Sequence, residues 1–118
     1  GLALVVDDEM FVREVTASTL EEIGYRAVLA GDGRGGLDAF RRHRDEVRVA
    51  VIDVVMPGMQ GDQLLDELRA LAPGLPAVLV SGFTDRKVSR PGVEFLQKPF
   101  HPEELMAAVR RVVAAAGG

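Results

Sequence analysis

Five short apolar runs constrain the fold of this chain more than any other feature of its sequence. The runs occupy residues 3–6, 26–30, 49–53, 77–81 and 93–96. Several are continuously apolar and rich in valine, which is typical of strands that a parallel sheet buries on both faces. The runs therefore predict a five-stranded parallel sheet, whose strands are joined by connections that cross its faces.

The segments between these runs have the three-to-four-residue period of amphipathic helices. Gly24 ends the first of these segments, and Pro102 opens the last one. Only about two helical turns fit between residues 84 and 91, where a Pro-Gly pair interrupts the pattern. The alternation predicts a doubly wound α/β fold with helices on both faces and a short or missing fourth helix. The periodic residues are Phe11, Val15, Thr19, Leu20, Ile23, Leu64, Leu65, Leu68, Leu71, Leu105, Ala108, Val109, Val112 and Val113.

The length and composition of the chain argue against several classes of protein. Its 118 residues suit one domain, so residues 1–118 are predicted to form a single unit. The net charge of −4 and the lack of a basic stripe argue against direct nucleic-acid binding. No apolar run approaches the roughly 20 residues that span a bilayer, and no cysteine is present for disulfides or thiolate metal sites. We therefore expect a soluble, cytoplasmic domain without membrane insertion.

The residues at the ends of the predicted strands carry the chemistry of this sequence. Asp7 and Asp8 follow the first strand, and Asp53 ends the third. Ser81 ends the fourth strand, and Lys98 follows the fifth. The carboxyl ends of parallel strands meet at one edge of a sheet, which is where ligands bind in such folds. These five side chains are therefore expected to converge.

Three carboxylates brought together in this way need a cation. Two carboxylates about 4 Å apart repel by roughly 4 kcal/mol at an effective dielectric near 20. Mg²⁺ relieves such repulsion, because it takes oxygen ligands and leaves a coordination position for a phosphate oxygen. Lys98 supplies a positive charge to the same phosphate and Ser81 a hydrogen bond, while the Asp53 carboxylate is able to attack phosphorus. Each residue alone is more often a turn residue, a helix cap or a solvated charge, but their joint placement favours a phosphoryl-transfer site.

Four sequence segments together resemble the CheY-like receiver domains of two-component signalling. They are LVVDDE at residues 4–9, VIDVVMPGMQG at residues 51–61, VSG at residues 80–82 and FLQKPF at residues 95–100. The resemblance covers essentially the whole chain and implies a flavodoxin-like sheet with strand order 2-1-3-4-5. It also implies a response-regulator switch rather than an enzyme, with only Mg²⁺-dependent autophosphorylation and slow autodephosphorylation.

The resemblance assigns roles to the acidic residues at the sheet edge. Asp53 is implied to accept a phosphoryl group from the phosphohistidine of a histidine kinase or of a histidine phosphotransfer protein. Asp8, Asp53 and the Val55 backbone carbonyl are implied to bind Mg²⁺ directly, and Asp7 is implied to bind it through water. The output is then expected from an effector domain outside this chain.

Three further residues are implied to carry the signal. Lys98 pairs with the phosphoryl group, Ser81 moves to hydrogen-bond it, and Phe95 changes rotamer on the face built by the last two strands and the last helix. Phe95 replaces the commoner tyrosine of this family and therefore lacks its hydroxyl group. The interval from Ser81 to Lys98 is shorter than usual. The VSGF run at residues 80–83, with the short loop that follows it, is similar to that of receivers attached to hybrid sensor histidine kinases.

Other functions fit the sequence less well. Residues 31–36, GDGRGG, satisfy the G-x-G-x-x-G pattern of dinucleotide-binding folds, but Asp32 would place a carboxylate against the pyrophosphate. Haloacid-dehalogenase-type phosphatases also use an aspartate nucleophile with Mg²⁺, but Val55 stands where their general acid is expected. No G-x-x-x-x-G-K-S/T motif is present for P-loop chemistry. The main alternative is a pseudo-receiver, folded alike but acting as a constitutive protein-interaction module.

Overall fold

The sheet has the predicted number of strands and the predicted order. The computed structural model describes residues 1–82 and 88–117. Its five strands pair in parallel in the order β2-β1-β3-β4-β5, which confirms the flavodoxin-like arrangement. The strands are β1 (Leu2–Val6), β2 (Arg26–Ala30), β3 (Val47–Asp53), β4 (Ala77–Ser81) and β5 (Val93–Gln97).

Helices cover both faces of this sheet and divide the core in two. The described residues form α1 (Met10–Glu22), α2 (Gly33–Arg42), α3 (Gly61–Leu71) and α4 (Pro102–Gly117). One apolar cluster lies between the sheet and α2 and α3, and the other lies between the sheet and α1 and α4. Among the described residues, no helix has the length and apolar character that crossing a membrane requires.

Three strand ends differ slightly from the prediction. β3 begins at Val47 rather than at residue 49, because Val47 is buried and pairs with Leu2 although the exposed Arg48 interrupts the apolar run. β1 accordingly begins one residue early, at Leu2, whose amide donates to the Glu46 carbonyl at 2.9 Å. β5 extends one residue further, to Gln97, which pairs with Ser81.

The connection between β4 and β5 is attached to α3 through arginine side chains. Residues 88–90 lie in no helix or strand, while residues 83–87, which hold most of the predicted short helix, lie outside the described residues. Arg90 makes two hydrogen bonds to the Asp66 carboxylate, at 2.7 and 2.9 Å. Arg69 donates to the backbone carbonyls of Leu75 and Pro91. These contacts fix the described end of the connection against α3.

The glycine-rich segment at the start of α2 is explained by capping and packing. Asp32 is the N-cap of α2 and accepts a hydrogen bond from the Gly35 amide at 2.7 Å. A Cβ atom at Gly36 would lie 2.9 Å from the Val6 side chain, so glycine lets α2 pack closely on β1. These roles account for the pattern that resembles a dinucleotide-binding loop.

Candidate functional site

Three aspartates meet at the carboxyl edge of the sheet. Asp7 and Asp8 follow β1, and Asp53 ends the neighbouring strand β3. One carboxylate oxygen from each lies within 4.8 Å of the other two. Asp7 and Asp53 are only 4% and 5% exposed, whereas Asp8 is exposed to solvent. The structure therefore brings the three carboxylates together, with two of them largely removed from water.

Neighbouring backbone groups orient the two buried carboxylates. The Glu9 amide donates to Asp7 Oδ1 at 2.9 Å, and the Val55 amide donates to Asp53 Oδ1 at 3.3 Å. Arg13 on α1 donates from Nη1 to the Asp7 backbone carbonyl at 2.7 Å. The backbone donor of each buried carboxylate thus binds Oδ1, and the Oδ2 atom contacts the Lys98 ammonium group.

Lys98 brings a positive charge into this cluster from the end of β5. Its Nζ atom lies 3.2 Å from Asp53 Oδ2 and 3.4 Å from Asp7 Oδ2. The Glu9 carboxylate is a third partner, at 3.2 Å. The Lys98 amide also donates to the Ser81 carbonyl at 2.8 Å, which anchors the residue to the end of β4.

Burial and neighbouring charges shift the pKa values of both Asp53 and Lys98 in this cluster. Burial and, secondly, repulsion from Asp7 raise the pKa of Asp53 to about 6, although Lys98 and the Val55 amide act in the opposite direction. Burial lowers the pKa of Lys98, but attraction by Asp53 and Asp7 and hydrogen bonds to Glu9 and Asp53 outweigh it and raise the pKa above its usual value. Lys98 is therefore an ammonium group at neutral pH, while Asp53 remains a destabilised carboxylate.

The donor set fits a small, hard divalent cation. Asp7, Asp8 and Asp53 offer only oxygen atoms, at a separation that one ion is able to bridge. A dication would also relieve the repulsion that raises the pKa of Asp53. Val55 lies in the loop after β3, two residues from Asp53, which places its backbone beside the same carboxylate. The residues present therefore fit Mg²⁺.

Ser81 and Phe95 lie beside this cluster and share a cavity of about 530 Å³. Ser81 ends β4, one residue after Val80, which pairs with Asp53 in the sheet. Phe95 lies on the edge strand β5, and its side chain is 45% exposed. Val54, Val88, Ser89, Leu96 and Gln97 line the rest of the cavity. The structure thus places Phe95 next to open space that leads toward Ser81.

The sequence did not predict two contacts of the site. Glu9 contacts Lys98, which lies 89 positions away in the chain. The one sequence feature that pointed to Glu9 is its position directly after Asp7 and Asp8. Arg13 lies one helical turn into α1 and supports Asp7 through a backbone carbonyl, a contact for which the side-chain pattern gives no signal.

Comparison with known proteins decides the family. The family model described as the response regulator receiver domain matches residues 3–110. This chain belongs to the response regulator receiver family. The receiver fold is also found in a Clostridium thermocellum receiver domain, with a TM-score of 0.90 at 24% identity, covering 99% of this chain and 97% of that one. A further structure, the receiver domain from the hybrid histidine kinase CckA, is 30% identical with a TM-score of 0.83, covering 96% and 99%.

Curated relatives of this receiver are regulators about twice its length. The probable transcriptional regulatory protein TcrX of Mycobacterium tuberculosis is 35% identical over an alignment of 119 positions, which covers 97% of this chain and 50% of TcrX. The DNA-binding response regulator MtrA of Mycobacterium leprae is 35% identical over 112 residues, covering 91% and 48%. The chain therefore spans about half the length of these relatives. As a receiver domain of two-component signalling, it is a signalling module rather than a conventional enzyme.

Proposed function

We propose that this receiver is a phosphorylation-operated switch in which Asp53 is the phosphoacceptor. The observation that carries the proposal is the Asp53 carboxylate itself, which is buried among two other carboxylates and faces Lys98 at 3.2 Å. The donor is the phosphohistidine of a histidine kinase or of a histidine phosphotransfer protein. We further propose that residues 1–118 form one cytoplasmic receiver domain and that an effector domain outside this chain produces the output.

In this proposal each residue of the cluster has its own role in phosphoryl transfer. An Asp53 carboxylate oxygen bonds to phosphorus, while the bond from phosphorus to the donor's imidazole nitrogen breaks and the imidazole takes up a proton. With a pKa of about 6, Asp53 is mostly ionised at neutral pH and able to attack. Asp8, Asp53 and the Val55 carbonyl, with Asp7 through water, would hold Mg²⁺, which neutralises charge on the phosphoryl oxygens. Lys98 exchanges its contact with Asp53 for one with a phosphoryl oxygen.

The proposed signal passes from Asp53 to Phe95 through Ser81. A phosphoryl group on Asp53 offers new acceptor oxygens next to the end of β4, where the Ser81 hydroxyl is able to donate to one of them. Movement of Ser81 toward Asp53 would enlarge the cavity that it shares with Phe95. A half-exposed aromatic ring buries apolar surface when it enters such a space. Phosphorylation of Asp53 therefore favours the rotamer in which the Phe95 ring points into the cavity.

The Phe95 ring is therefore expected to turn inward when Asp53 carries a phosphoryl mimic. In crystals grown with beryllium fluoride and Mg²⁺, its exposed fraction should fall well below the 45% of the unloaded structure. The Phe11 ring, which is 79% exposed on α1 and lies away from the cavity, serves as the control that should keep its exposure. Identical Phe95 positions with and without the mimic would contradict the proposed relay.

An apolar groove beside Lys98 supports a protein donor. Phe11 and Val15 of α1, which are 79% and 43% exposed, border this groove together with Pro99 and Phe100. The groove measures about 430 Å³ and includes Lys98 in its wall. Any macromolecule that presents a phosphohistidine to Asp53 must approach this edge of the sheet, so it would cover these side chains. We propose that the kinase or phosphotransfer protein packs an apolar surface here.

Replacing Phe11 with serine is expected to slow transfer from a protein donor by about 30-fold, since central apolar anchors contribute about 2 kcal/mol. The measurement uses an autophosphorylated histidine kinase that labels the wild-type chain. Labelling by acetyl phosphate should stay unchanged, because a small donor does not need the groove. Leu29→Ser is the control, since Leu29 is another exposed apolar residue, at 43%, but lies on β2 and does not line the groove. The docking proposal would be contradicted if Phe11→Ser and Leu29→Ser slowed transfer from the kinase equally. It would also be contradicted if Phe11→Ser slowed labelling by the kinase and by acetyl phosphate equally.

The proposed function is tested by incubation with acetyl phosphate followed by intact-mass spectrometry. The protein should gain one phosphoryl group in the presence of Mg²⁺ and none in the presence of EDTA. The exposed Asp38 of α2 provides a control, since Asp38→Asn should leave the gain intact. No gain with acetyl phosphate, with phosphoramidate or with histidine kinases would instead favour a pseudo-receiver that acts through constitutive protein contacts.

A further inference from the structure

The side chain of Glu9 is directed to Lys98 instead of capping its own helix. Glu9 is the N-cap residue of α1, with extended backbone angles, yet its carboxylate makes no capping hydrogen bond. A polar N-cap side chain commonly accepts a hydrogen bond from the first turn of its helix. Here the Glu9 carboxylate accepts one from Lys98 Nζ at 3.2 Å, although the Glu9 side chain is 61% exposed.

The three partners of Lys98 are not equivalent. The ammonium group has three protons, and three carboxylates, those of Asp7, Glu9 and Asp53, lie within 3.4 Å of it. Asp7 and Asp53 are buried members of the acidic cluster that fits a divalent cation. Glu9 stands at the solvent-exposed rim and belongs to no such cluster among the described residues.

A divalent cation and Lys98 compete for the same buried carboxylates. When Asp7, Asp8 and Asp53 hold the cation, two of their three negative charges are neutralised and the cation repels the ammonium group. Of the three carboxylates within 3.4 Å of Lys98 Nζ, Glu9 alone then lies outside the residues that hold the cation. Without Glu9, a flexible lysine side chain with a strongly hydrated head would turn into water, because its long stem has many other rotamers.

We propose that Glu9 is a positioning residue for Lys98, holding the ammonium group at the mouth of the acidic cluster where an incoming phosphoryl group must pass. The inference rests on the proposed function and names a residue that assists the same transfer. Glu9 acts through Lys98 rather than on the phosphoryl group itself. Its contribution is that of a partly exposed ion pair, up to about 1 kcal/mol, which converts to about a fivefold change in rate.

Three variants separate this role from a general effect of charge. Glu9→Gln removes the charge, and Glu9→Asp keeps the charge but is one methylene too short to reach Lys98. Glu14→Gln, at an exposed position of the same helix, removes the same charge elsewhere. At saturating Mg²⁺, labelling by acetyl phosphate should be three- to fivefold slower in both Glu9 variants and no slower in Glu14→Gln.

The direction of the change in labelling rate distinguishes the positioning of Lys98 by Glu9 from a general effect of charge. Removing a negative charge attracts the anionic donor more strongly, so a mere charge effect would speed labelling in both Gln variants. Labelling of Glu9→Gln at or above the wild-type rate, or a wild-type rate in Glu9→Asp, would overturn the proposal.

A second readout does not depend on phosphorylation. In the Mg²⁺-saturated protein, a held Lys98 ammonium group should give a resolved ¹⁵N–¹H signal that is lost to exchange with water in Glu9→Gln and kept in Glu14→Gln. An equal Lys98 signal in the wild type and Glu9→Gln would overturn the positioning role. If the wild type were not labelled by any donor, the proposed function would fail, while this signal would still decide the role of Glu9.

Discussion

In metal-free solution at pH 8, the Asp53→Asn variant is expected to be more stable to unfolding than the wild type by up to about 3 kcal/mol. Burial and the neighbouring Asp7 raise the pKa of Asp53 from its usual 3.8 to about 6, so folding disfavours its ionised form. Asparagine has the size of a protonated aspartate and carries no charge. The variant therefore avoids the cost of burying a carboxylate that lacks its cation.

The difference in stability between Asp53→Asn and the wild type depends on pH. The pKa of Asp53 is higher in the folded state than in the unfolded chain. Its contribution to the free energy of unfolding is therefore most favourable below pH 3.8 and is lost as the pH rises through about 6. The advantage of Asp53→Asn should therefore be largest above pH 6 and vanish near pH 4. Urea unfolding in EDTA at several pH values measures it, with Asp38→Asn as the exposed control. A wild type more stable than Asp53→Asn at pH 8 would contradict this account of the site.

Replacing Gly61 with alanine is expected to lower the free energy of unfolding by about 3 kcal/mol or more and to abolish labelling of Asp53. A Cβ atom at Gly61 would lie 2.1 Å from the Asp53 backbone carbonyl oxygen and 2.9 Å from Val54 Cα. The Gly61 amide also donates to the Val54 carbonyl at 2.8 Å. The clash is with backbone on both counts, so it is relieved only when the first turn of α3 moves away from the end of β3.

Gly117→Ala is the matched control for this substitution. Gly117 ends α4, and nothing lies within 4 Å of the Cβ atom that alanine would add. Its stability should be unchanged or slightly higher, because alanine favours the helix. Denaturant unfolding gives the stability of both variants, and intact-mass spectrometry after acetyl phosphate gives their labelling. A stable, fully labelled Gly61→Ala variant would show that α3 is free to shift without disturbing Asp53.

Local patterns predicted the strands and the residues at their ends. Continuous apolar runs predicted the parallel sheet, and the resemblance of the segments around Asp7, Asp53, Ser81 and Lys98 implied its order, which the structure confirms. The apolar pattern predicts that β3 starts at residue 49, two residues later than it does, because Arg48 breaks the run. Val47 and Val49 are nevertheless both buried, in the apolar clusters on opposite faces of the sheet, where the register between β1 and β3 shifts.

Contacts between distant parts of the chain could not be predicted in the same way. The pairing of Glu9 with Lys98 depends on where the start of α1 lies relative to the end of β5, which is a property of the folded sheet. The attachment of Arg90 to Asp66 likewise depends on the path of the β4–β5 connection over α3. Long charged side chains have many rotamers, so their partners are set by tertiary structure rather than by local spacing.

The central claim is that Asp53 carries the phosphoryl group, and mapping of the modified residue tests it most directly. After labelling with acetyl phosphate and Mg²⁺, reduction with borohydride converts an acyl-phosphorylated aspartate to homoserine, which tandem mass spectrometry locates in the peptide that contains it. We predict homoserine at residue 53, its absence in EDTA, and its absence in Asp53→Asn. Homoserine at another aspartate, or a phosphoryl gain that persists in Asp53→Asn, would contradict the assignment of Asp53 as the phosphoacceptor.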